Sequence, residues 1–376
     1  MQAFTDLFGN VLELQWQQVV MWAIGGLLIY LAIKKEMEPS LLLPIGFGTI
    51  LVNLPNSGAV TQALEEGPLD VLFNAGVSNE LFPLLLFVGI GAMIDFKPLL
   101  SNPRLMIFGA AAQFGIFFTL CMAALLGFEV LDAASIAIIG AADGPTSIFV
   151  ATTFGSKYLG AIIVVAYSYM ALVPIIQPPV VRLVTTKAER KIRMPYASKP
   201  VSRMTEILFP IVITAISGLV APKSVALVGF LMFGNLLRVC GVLDSLSETA
   251  QKVLANLITL FLGLTVASQM RAESFLTAET LMILGLGLFA FVFDTVGGVM
   301  VAKLYNLFSK VKINPMIGAC GISAFPMSAR VINKMGLEED NQNFLLMHAV
   351  GVNVSGQIAS VIAGGLIMTL FSSYII

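Results

Sequence analysis

Charged residues are scarce in this sequence: Asp, Glu, Lys and Arg make up 11% of its 376 residues, and the formal net charge is −1. An ordinary soluble domain carries about 25% charged residues, so a normally solvated surface is excluded. Histidine occurs once. The chain therefore lacks the positive surface that binds nucleic acid, and it lacks the ligands of a histidine-rich metal site.

Cysteine is rare as well, with only Cys121, Cys240 and Cys320. Each lies inside an apolar segment, and no two have the CxxC spacing of a metal or redox motif. Free cysteine is among the residue types most often buried in proteins. We therefore expect buried, unreactive thiols and neither disulfides nor metal ligands.

Apolar residues are in excess, at 57% of the chain, and the mean hydropathy is +0.92. A helix needs about 20 apolar residues to cross a bilayer. Runs of this kind recur and predict an all-α polytopic membrane protein in the lipid bilayer. They lie at 16–33, 39–54, 81–94, 105–127 and 158–181 in the first half, and at 206–221, 224–240, 253–270, 280–302 and 343–374 in the second.

Two further apolar segments are interrupted at their centres. The segment 133–156 contains Asp143 followed by Gly144 and Pro145, and the segment 313–331 contains two prolines. Glycine and proline end helices and leave backbone groups that lipid cannot satisfy. Each segment is therefore predicted to form a broken, re-entrant helical hairpin.

The stretch 182–203 divides the chain, because it is rich in Lys and Arg and has Glu189 as its one acidic residue. Short basic loops remain in the cytoplasm. We predict that 182–203 is a cytoplasmic linker between a first membrane repeat, 1–181, and a second, 204–376. Both chain ends are then expected on the outer side.

The two predicted repeats resemble each other in sequence. Segment 41–54 is similar to 225–239, and segment 138–151 is similar to 316–329. With about five transmembrane helices and one hairpin, each repeat crosses the membrane an odd number of times. The repeats must therefore enter the membrane in opposite senses and form an inverted-topology repeat.

Asp143 is the sharpest candidate for function, because an ionisable group at membrane depth costs about 2.5–3.5 kcal/mol on insertion scales. Thr146, Ser147 and the free carbonyls of a broken helix supply the oxygen ligands that a hard monovalent cation prefers. Na⁺ fits this description. The alternative is that Asp143 only caps the second half-helix.

The second broken segment carries Asn314, Gly318 and Ser323 and ends at Arg330. Its polar side chains again lie in an interrupted apolar run, which favours a shared ion site. Arg330 has two interpretations: its side chain extends to the cytoplasmic interface, or it contacts an anion.

The last span of each predicted repeat contributes polar residues at matching positions, Tyr169 in the first and Asn353 in the second. The Asn353 amide oxygen is a neutral cation ligand, and the Tyr169 hydroxyl is a potential proton donor. Ser355, with Gly356 and Ser360, is interpreted mainly as a small residue for helix packing. Asp294 is a second intramembrane carboxylate and a rival to Asp143.

Three segments, ADGPTSI at 142–148, NPMIGACGISAFPMSAR at 314–330 and GVNVSGQIAS at 351–360, resemble the beta subunit of the sodium-translocating, biotin-dependent decarboxylases. That family acts on oxaloacetate, methylmalonyl-CoA or glutaconyl-CoA, and the likeness runs essentially end to end. The resemblance implies that the chain decarboxylates carboxybiotin and exports Na⁺ while consuming a proton.

The resemblance also implies site residues and partners. The Na⁺ ligands would be Asp143, Asn314, Gly318, Ser323, Tyr169 and Asn353, and the catalytic residues Asp143, Tyr169 and Arg330. Biotin would reside on a separate biotin carrier subunit, beside a carboxyltransferase (alpha) subunit and a small membrane (gamma/delta) subunit, in a homo-oligomeric complex of the bacterial inner membrane. The alternative function is a stand-alone sodium-coupled secondary transporter, because inverted repeats with broken helices fit both.

Overall fold

The computed structural model describes residues 13–62, 65–195 and 200–374, and within them the chain is helical, with no strand and one isolated bridge between Gln62 and Glu65. The main helices are α1 Trp16–Lys35, α2 Pro39–Val52, α3 Pro68–Gly76, α4 Leu81–Met93, α5 Pro103–Leu125, α6 Val130–Ala141, α7 Gly144–Thr153, α8 Leu159–Val184, α9 Arg203–Val220, α10 Pro222–Val239, α11 Asp244–Ser268, α12 Ala278–Phe308, α13 Met327–Glu339 and α14 Leu346–Leu370.

Among these residues, 8 helices are long and apolar enough to cross a membrane, or up to 9 when α3 and α4, bent by 65°, form one span. The sequence predicted ten spans. The difference lies at the runs 39–54 and 81–94, whose helices α2 and α4 have only 14 and 13 residues. The all-helical membrane fold is confirmed, whereas the inverted repeat and its helix count stay predictions.

Both interrupted segments are broken helices. In the first, hereafter hairpin 1, α6 ends at Ala141, Ala142 adopts φ +51, and α7 begins at Gly144 with proline in its first turn. A left-handed φ is unfavourable for alanine but reverses the chain direction within one residue. In the second, hereafter hairpin 2, a 3-10 turn at Pro315–Gly321 precedes α13.

The tips of the two hairpins meet inside the protein. The Ser323 backbone N–H of hairpin 2 donates to the Ala141 carbonyl of hairpin 1 at 2.9 Å. Glycines allow the surrounding backbones to approach closely, since a Cβ on Gly318 would overlap the Gly298 carbonyl of α12, and one on Gly356 would overlap the Gly321 carbonyl. Small residues are the usual means of close helix packing in membranes.

The described part of the linker, which omits 196–199, is tied to the end of α13 by ion pairs. Arg182 pairs with Glu338 at 2.9 Å, and Arg193 pairs with Asp340 at 2.6 Å. These contacts place the basic linker beside the C-terminal end of α13, the second arm of hairpin 2. The domain boundaries at 181 and 204 stay predictions.

The outer helices carry the apolar surface that lipid would cover. Only 17% of the α1 window and 11% of the α9 window are buried within the protein, and Leu219 is 85% exposed. The expectation of buried thiols is confirmed for Cys320, but Cys240 is only half-buried and the side chain of Cys121 is exposed on α5. The apolar sequence around Cys121 faces outward because the bilayer, and not the protein core, is its solvent.

Candidate functional site

Asp143 lies at the turn of hairpin 1 and is 2% exposed. Its Oδ1 accepts a hydrogen bond from the Thr146 backbone N–H at 3.2 Å, so it caps α7 as the alternative interpretation proposed. Its Oδ2 accepts from the Ser360 hydroxyl at 2.8 Å and from Gln357 Nε2 at 3.2 Å. The carboxylate therefore joins hairpin 1 to α14 as well as capping a helix.

One face of α14 supplies the other side of the site. Asn353, Gln357 and Ser360 follow one another at intervals of four and three residues, which aligns them along a helix. Asn353 Nδ2 donates to the carbonyls of Cys320 at 3.2 Å and Ile322 at 2.7 Å, and thereby holds the tip of hairpin 2. The same helix face thus contacts both broken segments.

Ser323 connects the two hairpins through side chains. Its hydroxyl is hydrogen-bonded to the Ser360 hydroxyl and also donates to the Gly356 carbonyl at 3.3 Å. Ser360 in turn donates to Asp143. A continuous line of oxygen atoms therefore runs from the tip of hairpin 2 to the carboxylate of hairpin 1.

Several buried oxygen atoms near this line have no hydrogen-bond partner among the described residues. They are Asn353 Oδ1, Thr146 Oγ1 and the Tyr167 hydroxyl. Buried polar atoms without partners are uncommon, and each such atom calls for a ligand, an ion or a water. Neutral oxygens beside one carboxylate match the needs of a monovalent cation.

A cavity of about 260 Å³ opens beside the carboxylate and is lined by Asp143, Glu38, Tyr167, Ser323 and Gln357 among others. Both ionisable carboxyl groups in its lining favour a cation over an anion. Burial raises the pKa of Glu38, while the nearby positive charge of Arg330 opposes that rise.

Arg330 is exposed in the first turn of α13, and its backbone N–H donates to the carbonyl of Pro326, a residue that lines the cavity. The guanidinium charge acts on Glu38, which lines the same cavity. Its exposure is compatible with both interpretations, extension to the interface and contact with an anion, and both stay predictions.

Asn314, Gly318 and Ser355 make their contacts away from the Asp143 carboxylate, and Ser147 contacts only the Asp143 backbone. Asn314 Nδ2 donates to the carbonyls of Arg190 at 2.8 Å and Ile192 at 3.0 Å, which fastens the start of hairpin 2 to the linker. Gly318 packs against α12. Ser147 donates to the Asp143 carbonyl at 2.9 Å. Ser355 donates to the Val352 and Leu105 carbonyls, in keeping with a packing role.

Two tyrosines on α8 have different surroundings. The hydroxyl of Tyr169 donates to the Leu284 carbonyl of α12 at 2.6 Å. The ring of Tyr167 lies against Gly144, where a Cβ would overlap it, and its hydroxyl is buried near Asp143 without a partner. Sequence reasoning singled out Tyr169 by its alignment with Asn353. Nothing in the sequence indicates that Tyr167 is the tyrosine that lines the cavity.

Sequence reasoning also underestimated Ser360 and Gln357 and missed Glu38. Ser360 was interpreted as a packing residue, yet its hydroxyl contacts the Asp143 carboxylate. Its spacing of seven residues from Asn353 was the available signal, since residues seven apart share a helix face. Glu38 lies in the turn before α2, far from every motif, and the sequence gives no sign of its position.

Asp294, the rival carboxylate, lies in the middle of α12 and is 1% exposed. Neither of its carboxyl oxygens has a hydrogen-bond partner among the described residues. It approaches Gly115 of α5 and Gly140 of α6. Asp294 and Asp143 therefore occupy separate environments with different neighbours.

Comparison with known proteins bears on what this site does. The beta subunit of methylmalonyl-CoA decarboxylase from Veillonella parvula is 49% identical, with 94% of this chain and 93% of that protein covered. The glutaconyl-CoA decarboxylase beta subunit of Acidaminococcus fermentans is 48% identical, with 94% and 93% covered. The oxaloacetate decarboxylase beta chain of Klebsiella pneumoniae is 44% identical, with 93% and 94% covered.

A family profile described as the Na⁺-transporting oxaloacetate decarboxylase beta subunit matches residues 17–371, nearly the whole chain. The relatives and the profile agree, and they confirm the resemblance found in the three sequence motifs. The chain belongs to the family of the beta subunits of Na⁺-transporting decarboxylases.

Proposed function

We propose that this chain is the membrane subunit of a decarboxylase sodium pump and that Asp143 binds Na⁺ and a proton in alternation. The observation that carries the proposal is the Asp143 carboxylate, buried where two broken helices meet and bonded, among the described residues, only to neutral groups. An isolated buried charge is costly. A bound Na⁺ or proton removes that cost, so the two can compete for one site.

Ser323 and Asn353 are the proposed partners of Asp143 in binding Na⁺, because both are buried and both contact the meeting point of the hairpins. Thr146 lies in the first turn of α7, and its hydroxyl has no hydrogen-bond partner of good geometry among the described residues. Asn314 and Gly318 would act by positioning hairpin 2, since one anchors it to the linker and the other packs it against α12.

The proposed substrate on the cytoplasmic side is carboxybiotin. In its decarboxylation the bond between the ring nitrogen and the carboxyl carbon breaks, CO₂ leaves, and the nitrogen takes up a proton. Arg330 would meet the carboxylate, because its charge lies beside the cavity that leads to Asp143. Tyr169 is the proton donor proposed from the sequence motif, and Tyr167 is the tyrosine that lines the cavity.

Proton consumption couples the decarboxylation of carboxybiotin to the movement of Na⁺. A proton leaving Asp143 for the substrate would leave an ionised carboxylate ready for Na⁺, and Na⁺ leaving on the outer side would favour protonation again. Movement of the hairpins between the two predicted inverted repeats, 1–181 and 204–376, would give alternating access. The hydrogen bond from Ser323 to Ala141 makes the hairpin tips the contact that must change.

The proposal requires partners that this chain does not supply. They are a carboxyltransferase subunit, a carrier subunit that holds biotin and a small membrane subunit, in a complex of the bacterial inner membrane with more than one copy of this chain. The beta-subunit names of the relatives support a multi-subunit assembly.

The experiment is uptake of radioactive Na⁺ together with CO₂ release, in vesicles that contain the complete complex. Asp143→Asn should abolish both, because the amide keeps the shape but cannot ionise. Asp244→Asn is the matched control, since Asp244 is exposed at the start of α11. Retention of coupled transport in Asp143→Asn would contradict the proposal.

The same vesicles decide between the pump and the stand-alone transporter. The chain alone should move no Na⁺ when a gradient of protons or of an organic acid is imposed. Na⁺ transport should appear when the partner subunits and the substrate are added. Robust exchange by the chain alone would favour a secondary transporter instead.

A further inference from the structure

The second buried carboxylate, Asp294, lies in an environment unlike that of Asp143. Its two oxygens are buried and have no hydrogen-bond partner among the described residues. Two backbone N–H groups lie near the carboxylate. Among the described residues no salt bridge includes it. A group of this kind is costly when ionised and inexpensive when protonated.

Those two N–H groups belong to Gly115 and Ile116, in the first turn of the half-helix Phe114–Leu125 that follows the break in α5 at Gln113. Neither N–H has the geometry of a hydrogen bond to Asp294 in this conformation. The N-terminus of a helix carries partial positive charge and stabilises an anion. A small shift of this half-helix would therefore stabilise ionised Asp294.

The space around Asp294 selects the ligand. A Cβ on Gly115 would overlap Asp294 Oδ1, and a Cβ on Gly140 would lie 3.2 Å from Oδ2, so backbone closes around the carboxylate on two sides. A sodium ion needs several oxygen ligands in a shell around it, and the packed backbone leaves little room for one. A proton needs no such shell.

The titratable groups on the neighbouring elements include Tyr169, Cys320 and Asp132, and on α5 both Arg104 and Cys121 are exposed. On α8, Tyr169 meets α12 at Gly287, and its hydroxyl is bonded to Leu284. On the 3-10 turn of hairpin 2, Cys320 follows the stretch that meets Gly298. Asp132 lies at the far end of α6, where its Oδ1 accepts a hydrogen bond from Ser156.

Asp294 is connected to the proposed Na⁺ site through one short chain segment, residues 140–143. Gly140 precedes the carbonyl of Ala141, which accepts the hydrogen bond from Ser323, and Asp143 follows two residues later. A change at Asp294 that moves Gly140 would therefore move the hairpin tip.

We propose that Asp294 is a second proton-binding carboxylate, distinct from the Asp143 site. Its protonation sets the position of the C-terminal end of α6 and of the half-helix that follows Gln113. This inference rests on the proposed pump function for its role in coupling. The titration of Asp294 itself is independent of turnover and can be measured in the resting complex.

The test is infrared difference spectroscopy of the purified complex on a pH increase, read at the C=O stretch of protonated carboxylic acids. The wild type should lose a carboxylic acid band, and Asp294→Asn should lack that contribution. Asp143→Asn should retain it. Thr295→Val, a change at the adjacent buried residue, is the control and should leave the band unaltered.

Coupling provides the second measurement. Asp294→Asn is expected to lower the Na⁺ moved per CO₂ released by about tenfold, the scale of a typical coupling between sites. If this variant does not fold, Asp294→Ser, whose side chain is smaller than that of aspartate, should lack the same band. An Asp294→Asn spectrum identical to that of the wild type would overturn the proposal, whatever the fate of the pump hypothesis.

Discussion

The two broken hairpins bring different chemistry to the same point. Hairpin 1 contributes a carboxylate at a helix N-terminus, Asp143, whereas the tip of hairpin 2 contributes backbone carbonyls and the hydroxyl of Ser323. Asn353 on α14 holds the carbonyls of hairpin 2, and Ser360 on the same helix holds the carboxylate of hairpin 1.

The difference shows how related segments can divide one task. If the halves are inverted repeats, symmetry supplies two broken helices, but only the first kept an ionisable residue at its turn. A second carboxylate at hairpin 2 would repel the first across a short distance. Neutral oxygens at hairpin 2 instead add ligands without adding charge.

The largest expected effect comes from filling the close contact that fixes hairpin 2. Gly318→Ala should overlap the Gly298 carbonyl, and overpacking typically costs about 1–3 kcal/mol of the free energy of unfolding. Thermal unfolding of the purified complex checks this. Gly285→Ala on α12 is the control, because a Cβ there meets no atom within 4 Å. Equal melting temperatures for both variants would show that hairpin 2 moves freely.

The next effect tests the link from α14 to hairpin 1. Ser360→Ala removes a donor to Asp143, and hydrogen bonds to charged groups contribute about 1.5–3 kcal/mol. The KM for Na⁺ should therefore rise about tenfold or more, because tenfold in affinity corresponds to about 1.4 kcal/mol. Initial rates of Na⁺-dependent CO₂ release measure it.

Ser355→Ala is the comparison for that variant. Its hydroxyl donates to backbone carbonyls only, so the KM for Na⁺ should stay near that of the wild type. An equal rise in both variants would mean that α14 affects the site through packing and not through the carboxylate.

The third effect separates the two tyrosines. Tyr167→Phe removes an unpaired hydroxyl from the cavity beside Asp143, so stability should hold while the decarboxylation rate falls. Tyr169→Phe breaks the hydrogen bond to Leu284, so stability should fall by about 0.5–1.5 kcal/mol. Decarboxylation rates and melting temperatures of both variants show which tyrosine acts in the reaction and which one stabilises the fold. A selective rate loss in Tyr169→Phe would restore it as the proton donor.

Sequence reasoning predicted the structure best where a residue type has a single structural effect, such as ending a helix. Gly144 and Pro145 after Asp143 predicted the break in hairpin 1, and the structure starts α7 there. It was less successful with contacts between distant segments. The bond from Ser360 to Asp143 joins positions 217 apart, and helix periodicity gives a face but not its neighbour.

Length was the other source of error. Apolar runs at 39–54 and 81–94 looked like complete spans, yet α2 and α4 are short because Pro39 and the turn before Leu81 set where they begin. The exposed Cys121 shows a related limit: in a bilayer, apolar sequence does not distinguish the core from the lipid face.

The smallest effect concerns Glu38, where the cavity reaches the turn between α1 and α2. Burial raises the pKa of this carboxyl above its usual value of 4.5, so the folded state binds a proton more tightly than the unfolded chain does. Stability should therefore fall as pH rises from the unfolded pKa through the folded pKa, and the loss should persist above it. Glu38→Gln should flatten this part of the stability profile.

Arg330→Gln sharpens that prediction, because the arginine charge opposes the effect of burial. Without it the pKa of Glu38 should rise further, and the loss of stability should extend to higher pH. Melting temperatures of the wild type and both variants across the acidic to neutral range measure the shift. Identical profiles for the wild type and Arg330→Gln would show that the Arg330 charge does not act on the cavity, and would contradict its proposed contact with the substrate carboxylate.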